Sequence, residues 1–293
     1  MIPEFRIASD DISHDAELCL AFGAKVQLNA RVDSIDELKD QGFTDVVVAT
    51  GAWMPGSAGL GEGAELDVLE FLEAAKKGEK LELGEDVVVI GAGNTAMDAA
   101  RVAKRLAGVK NVRLVYRRTK KYMPADEHEL ALALQDGVAF AELAAPVAQA
   151  DGVLKCEQMK LGEADASGRR SPVGTGEFFT VPCDLVISAV GEQVDDALMS
   201  ANGIELDKKG RPAFKTNVAG VYAAGDATRG PATVVEGIAD AARFAEEVIG
   251  AAHTYEIPAA AYVTKADAIA KKGTLLMSKD ACCEGKRCLQ CHT

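Results

Sequence analysis

Residues 86–101 read DVVVIGAGNTAMDAAR. A short β-branched run predicts a buried strand, and the Ala-rich stretch after it predicts a helix. Between them, Gly91-Ala92-Gly93-Asn94-Thr95-Ala96 fits the pattern G-x-G-x-x-A. Gly91 permits the tight turn, Gly93 lets the backbone approach a pyrophosphate, and Ala96 lets the helix lie close on the strand. The helix start offers free N–H groups and the positive end of its dipole to phosphate oxygens. A glycine-rich turn can satisfy the pattern by chance, but its place between strand and helix points to dinucleotide binding.

The next strand, NVRLVY (111–116), runs into RRTKK (117–121). A site for NAD usually puts an acid there, about 20 residues past the glycines, on the ribose hydroxyls. Arg117 and Arg118 stand there instead. Guanidinium groups pair with a 2′-phosphate through charge-assisted hydrogen bonds, so the strand end predicts NADPH rather than NADH. The competing reading is an ordinary solvated basic loop.

Outward from this unit, strands and helices alternate. A helix is expected near Asp67–Lys77 and another over PADEHELALALQDG (124–137), with Pro124 near its first turn. Asp126, Glu127, His128 and Glu129 suit that first turn electrostatically and are not taken as an acid–base set. After Pro146, VLKCEQMKL and EFFTVPCDLVISAVG read as strands of a small antiparallel excursion, joined by a polar loop and returning to a buried strand at Leu185–Val190. Cys156 and Cys183 lie in these strands as structural residues. Toward the N-terminus, residues 10–22 predict a helix, with Cys19 as a small buried hydrophobe. A strand near Lys25–Leu28 follows, then a helix near Ser34–Gln41 with Ser34 and Glu37 spaced as a capping box. TDVVVATGAWMPG (44–56) predicts a buried parallel strand, and GSAGLGEG (56–63) a loop, since no strand precedes its glycines.

A second nucleotide site is suggested by separate pieces. GVYAAGD (220–226) puts Gly225 and Asp226 at the end of an apolar strand. The helix over 232–250 points its N-terminus at the same crevice, and VVVATGA brings Thr50 and Gly51 to a strand end. An acid and a helix N-terminus suit ribityl hydroxyls and flavin or phosphate oxygens, though simple capped strand ends would read alike.

The 293 residues carry a formal charge of −13 and 5% aromatics. Abundant small residues suit close-packed α/β layers. The acidity argues against nucleic acid and anionic membranes as partners. No apolar run is long enough to span a bilayer, and MIPEFRIASDD lacks a secretory pattern, so a cytoplasmic protein with reduced thiols is expected. Cys282, Cys283, Cys288 and Cys291 crowd the C-terminal stretch. Reduced thiols so clustered favour metal, Fe–S or redox work.

Taken in order, IPEFRI (2–7), ATG (49–51), GAGNTAMDAAR (91–101), YRR (116–118), MPA (123–125), AVGE (189–192) and GVYAAGDATRGPATVVEGIADAAR (220–243) resemble the FAD- and NADPH-binding region of the glutamate synthase small-subunit family. Within it, the Fe–S-containing selenate reductase subunits look most similar, although no acceptor is inherited from that label. The resemblance implies an FAD domain interrupted by an NADPH domain. FAD would be contacted by Thr50, Gly51, Gly225 and Asp226, with Thr233 and Val234 by the flavin. Gly91, Gly93, Asn94, Thr95, Arg117 and Arg118 would contact NADPH, and Gly191 would lie near its nicotinamide end. The implied chemistry is hydride transfer from NADPH to flavin, then single-electron transfer to Fe–S, which asks for no catalytic acid–base pair. Family members open with a βαβ unit carrying an FAD pyrophosphate fingerprint. No second strand–GxGxx[GA]–helix element exists here, so a fragment or one half of a split protein is expected, holding NADPH better than FAD. Cys288 and Cys291 match the first ligands of a family [4Fe-4S] site, which needs four thiolates. Four-Cys zinc is the rival. In the chain alone, an empty or disordered tail is expected.

The combined expectation is an α/β fold of two Rossmann-like units. An NADPH domain (84–192) would be inserted into a truncated FAD domain (1–60 and 193–255), ahead of a cysteine tail (256–293). The expected function is that of an NADPH-dependent flavoprotein oxidoreductase working with a redox partner subunit or domain. The alternative is a non-catalytic NADP(H)-binding module without flavin.

Overall fold

The computed structural model describes residues 1–250, apart from Phe22, Glu62, 165–167 and Arg169. In chain order, α1 (Ser9–Ala21) and α2 (Ile35–Asp40) precede β1 (Val46–Val48), β2 (Leu66–Asp67) and α3 (Val68–Lys76). Next come β3 (Asp86–Ile90), α4 (Asn94–Arg105), β4 (Asn111–Tyr116), α5 (Glu127–Gln135) and β5 (Ala139–Glu142). Then follow β6 (Ala144–Ala150), β7 (Val153–Ala164), β8 (Arg170–Pro182) and β9 (Leu185–Ser188). Last are α6 (Asp196–Ala201), β10 (Val221–Ala223), α7 (Asp226–Arg229) and α8 (Val234–Ile249). Residues 1–241 form one compact unit.

The main sheet has five strands in the order β2-β9-β3-β4-β5, every pair parallel. The central strands β9, β3 and β4 are buried on both faces, which explains their β-branched runs. Alternation along each strand divides the side chains. Val87, Val89, Val112 and Leu114 face Phe71 of α3, Met97 and Ala100 of α4, and Ala133 of α5. Val88, Ile90, Val115 and Val186 face the other way, onto Leu154, Cys156 and Val181 of the antiparallel sheet β6-β7-β8. A separate two-stranded parallel sheet, β1-β10, has its own apolar core of Ile35, Val46, Val48, Met199, Ile204, Val221 and Ala223.

Several local expectations change. Residues 25–28 form no strand, and Leu28 is 79% exposed. Cys19 is exposed, since α1 turns it outward. Ser34 is the N-cap of α2 but makes no side-chain cap bond. The Asn202 side-chain oxygen, at the end of α6, accepts from Ile35 N–H at 2.6 Å and replaces the expected capping box. In 44–56 only Val46–Val48 is strand, matched to the three residues of β10. Pro124 lies ahead of the α5 N-cap, which is Asp126. Beyond the sequence reading, Leu66–Asp67 adds an edge strand to the main sheet. Among the described residues no helix is long and apolar enough to cross a membrane.

Candidate functional site

The turn from β3 to α4 is held on both sides. Gly91 N–H donates to Val115 O at 3.1 Å, and a Cβ on Gly91 would come within 2.3 Å of Ala189 O. Its φ of +140° also falls where L side chains are strained. Gly93 is the N-cap of α4, in extended conformation and without a side-chain cap, and a Cβ there would meet nothing within 4 Å. By contrast α3, α5 and α6 open on Asp67, Asp126 and Asp195, each accepting from its helix's first turn. The N–H groups of Asn94, Thr95 and Ala96 therefore face outward with no acceptor among the described residues. The MPA stretch braces this loop: Ala125 N–H donates to Ala92 O at 3.0 Å, and Asp126 N–H to the Asn94 side-chain oxygen at 3.3 Å.

Arg117 and Arg118 leave the neighbouring strand at the same edge, because β3 and β4 run parallel with Ile90 opposite Val115. The Tyr116 hydroxyl donates to Tyr122 O at 2.7 Å and fixes the turn that carries them. Neither arginine forms an ion pair with a carboxylate among the described residues, and Arg118 Nε is buried without an acceptor. Two unpaired guanidiniums stand beside an uncapped helix start in an acidic chain. That is an arrangement for an anion.

The other expected residues gather at the edge of the β1-β10 sheet. Thr50 and Gly51 follow β1, while Gly225 and Asp226 follow β10, with Ala224 N–H bonded to Val48 O at 3.1 Å. Gly51 has φ +75°, and a Cβ on it would lie 2.7 Å from the Trp53 indole nitrogen. Gly225 N–H donates to Asp240 at 2.8 Å, and the same buried carboxylate pairs with Arg229. Asp240 shares its helix face with Glu236, Gly237 and Arg243, so no local pattern in the sequence marks it as the buried partner of Gly225. Burial pushes the Asp226 carboxyl above its usual value, against the opposing pull of the Ala232 N–H and Arg229. Asp226 accepts from Ala232 N–H at 3.1 Å, which brings it beside Thr233 and Val234.

The start of α8 departs from expectation. Thr233 and Glu236 form a reciprocal capping box, Thr233 N–H donating to the Glu236 carboxylate at 3.0 Å and the Thr233 hydroxyl at 2.9 Å. This helix end is thus partly self-satisfied. Val234, Val235 and Ile238 leave an apolar face exposed on its first turns.

Gly191 sits at the junction of the two sheets. A Cβ on Gly56 would come within 2.1 Å of Gly191 O, and Met54 and Gln193 exchange backbone hydrogen bonds at 3.0 and 2.8 Å. Beside this junction, at the carboxyl ends of β2 and β9, lies a cleft of about 530 Å³ whose lining includes Gly56, Ser57, Glu65, Asp67 and Ser188. Burial raises the Glu65 carboxyl, but donors from Ser57, the Ala58 backbone, Ser188 and the Gly59 backbone outweigh it and leave the group below its usual value.

Among the described residues no group of three or more His, Cys, Asp or Glu is arranged to hold a metal. Cys156 and Cys183 are core residues whose thiols burial pushes up to about 11. Cys288 and Cys291 lie outside the described residues.

The chain matches the pyridine nucleotide-disulphide oxidoreductase family over residues 13–241. It is 39% identical to the oxidoreductase YgfK of Escherichia coli K12, an alignment covering all of this chain and 30% of YgfK. It is 35% identical to the small chain of glutamate synthase [NADPH] from Azospirillum brasilense, over 84% of this chain and 57% of that one. Both relatives are longer, and the chain spans about a third of YgfK's length. Among solved structures, Mycobacterium tuberculosis FprA in complex with NADPH shares the fold, with a TM-score of 0.57 and 19% identity over 78% of this chain and 70% of FprA. The chain belongs to the pyridine nucleotide-disulphide oxidoreductase family.

Proposed function

We propose that the chain is the nucleotide-handling part of an NADPH-dependent flavoprotein oxidoreductase. One observation carries this reading: the uncapped start of α4 and the unpaired Arg117 and Arg118 share the edge of the main sheet. NADPH fits those groups. The N–H groups of Asn94, Thr95 and Ala96, with Gly91 and Gly93 leaving room, hold the pyrophosphate; the two guanidiniums hold the 2′-phosphate.

FAD fits the second edge. Gly51 and Gly225 are backbone positions that tolerate no side chain without strain, Asp226 is an acceptor for ribityl hydroxyls, and Val234 offers apolar surface to a ring. When bound, the nicotinamide and flavin rings supply the hydride chemistry themselves. The residues of this chain bind and orient them. Gly191, beside the Gly56 loop, borders the junction where the two rings would meet. The corresponding division would be an NADPH unit running from Gly56 to Gly191, which takes in β2 and α3 ahead of the start expected at 84, with FAD-binding segments before and after it and the tail 256–293 last. Onward single-electron transfer to an Fe–S cluster whose first ligands are Cys288 and Cys291, and a partner subunit to receive the electrons, rest on the resemblance and on a relative named as a small chain. The self-capped α8 favours a second reading, an NADP(H)-binding module without flavin.

Replacing Arg117 and Arg118 together by Ala should weaken NADPH about 10- to 100-fold in a fluorescence titration while leaving NADH nearly unchanged. Equal weakening of both removes the 2′-phosphate assignment. NADPH oxidation by an artificial electron acceptor with FAD present separates the enzyme from the binding module.

A further inference from the structure

We infer that Asp67, in the cleft at the carboxyl ends of β2 and β9, is an acceptor for the nicotinamide–ribose half of NADPH and sets how that half is held. The inference rests on the NADPH reading above and names a subsite for it.

Topology locates the cleft. In an open parallel sheet a ligand lies across the carboxyl ends of the strands where the strand order reverses. Here the reversal is at β3, with β4 on one side and β9, then β2, on the other. The glycine turn follows β3, and Arg117 and Arg118 follow β4. A dinucleotide whose pyrophosphate rests on the turn and whose 2′-phosphate meets the arginines sends its other half over β9 and β2. Ser188 is the last residue of β9 and Asp67 the last of β2, and both line the cleft.

The chemistry of the cleft agrees. Asp67 spends one carboxylate oxygen on the cap of α3, accepting from Leu69 and Glu70 N–H at 2.9 and 3.1 Å. Its other oxygen, Oδ2, is buried and meets no donor. An unpaired buried acceptor is costly and rare, and it calls for a donor. Ribose hydroxyls and the nicotinamide carboxamide N–H₂ are donors of the right kind. Competing acceptors nearby are already engaged: the Glu65 carboxylate accepts from the Ser57 hydroxyl and Ala58 N–H, and the Ser188 hydroxyl faces both Glu65 and Gly56 O, the latter at 3.4 Å. Glu65 therefore shapes the wall, and Asp67 retains the unmet valence.

Asp67→Asn separates this role from helix capping. Asn caps a helix about as well as Asp, so α3 is preserved, but Oδ2 becomes an N–H₂ donor that faces the ligand's donors. Asp67→Ser also keeps a capping oxygen and deletes the second acceptor. The affinities of both variants of the full chain are measured for NADPH and for 2′,5′-ADP, which carries only the adenosine half. The expected result is a loss of about tenfold or more for NADPH in both variants, with 2′,5′-ADP unchanged and far-UV circular dichroism retained. Unchanged NADPH affinity, or equal losses for both ligands, overturns the assignment of Asp67 while leaving the NADPH reading intact. A wild-type chain that binds neither ligand overturns the NADPH reading, and this inference with it.

Discussion

Cys156 and Cys183 illustrate how far a residue's surroundings decide its chemistry. Both are fully buried beneath the main sheet, and burial pushes their thiols up to about 11. The thiolate is the reactive form, so at neutral pH neither should react with iodoacetamide in the native chain, whereas exposed Cys19 should. Mass spectrometry of labelled peptides, native against unfolded, checks this; native modification at Cys156 would contradict it. The sequence alone places Cys156 and Cys183 rightly as structural residues but misplaces Cys19. It made Cys19 a core residue because the apolar spacing of 10–22 looked amphipathic, yet α1 is only weakly so and leaves most of its side chains exposed. It was better on glycine, since a positive φ or a close approach at Gly91 and Gly51 is written into the local pattern.

At the scale of elements, the N-terminal strap deserves a test of its own. Arg6 makes a two-pronged ion pair with Glu129 at 2.8 and 2.7 Å and a further pair with Asp98, thereby bridging α5 and α4. Phe5 lies under the guanidiniums of Arg101 and Arg105, with centroid distances of 4.2 and 4.6 Å. Glu4 accepts from Lys76 of α3 at 2.6 Å. The Lys76 ammonium, then the Ser9 hydroxyl and N–H, hold the Glu4 carboxyl down at about 2. A folded-state value below the unfolded one means the contact contributes fully above the ordinary carboxylate range and is lost as pH falls through the folded value. The strap should loosen between about pH 4.5 and 2, and Glu4→Gln should remove that transition. Carboxyl NMR of Glu4 reads it directly, and a midpoint near 4.5 would contradict the clasp. This element was invisible in the sequence, because Arg6 and Glu129 are 123 residues apart. The Asn202 cap on α2 was hidden for the same reason, at a separation of 167. The β3–α4–β4 unit was legible because its turn, strand and helix signals are contiguous.

For the whole molecule, the sheets differ in what supports them. The five-stranded sheet has both faces covered, while the β1-β10 sheet has three paired positions on one small core. Native-state hydrogen exchange should therefore protect Val88, Val89 and Leu114 most and Val47 and Tyr222 less. Adding FAD should raise protection at β1 and β10 preferentially if that edge is its site. Uniform protection across both sheets would contradict this division. Alternating strands and helices made the main sheet legible in the sequence. The partnership of β1 with β10 joins distant segments whose pairing no local pattern states.

The contact between Gly56 and Gly191 has an engineering consequence. The path that leaves the β1-β10 sheet at Gly56, builds the five-stranded sheet and returns at Gly191 begins and ends at one point. Such a module has its two cut sites side by side. It could be excised and closed with a short splice, or transplanted into another host at a single surface position, because neither operation asks the remaining chain to span a gap.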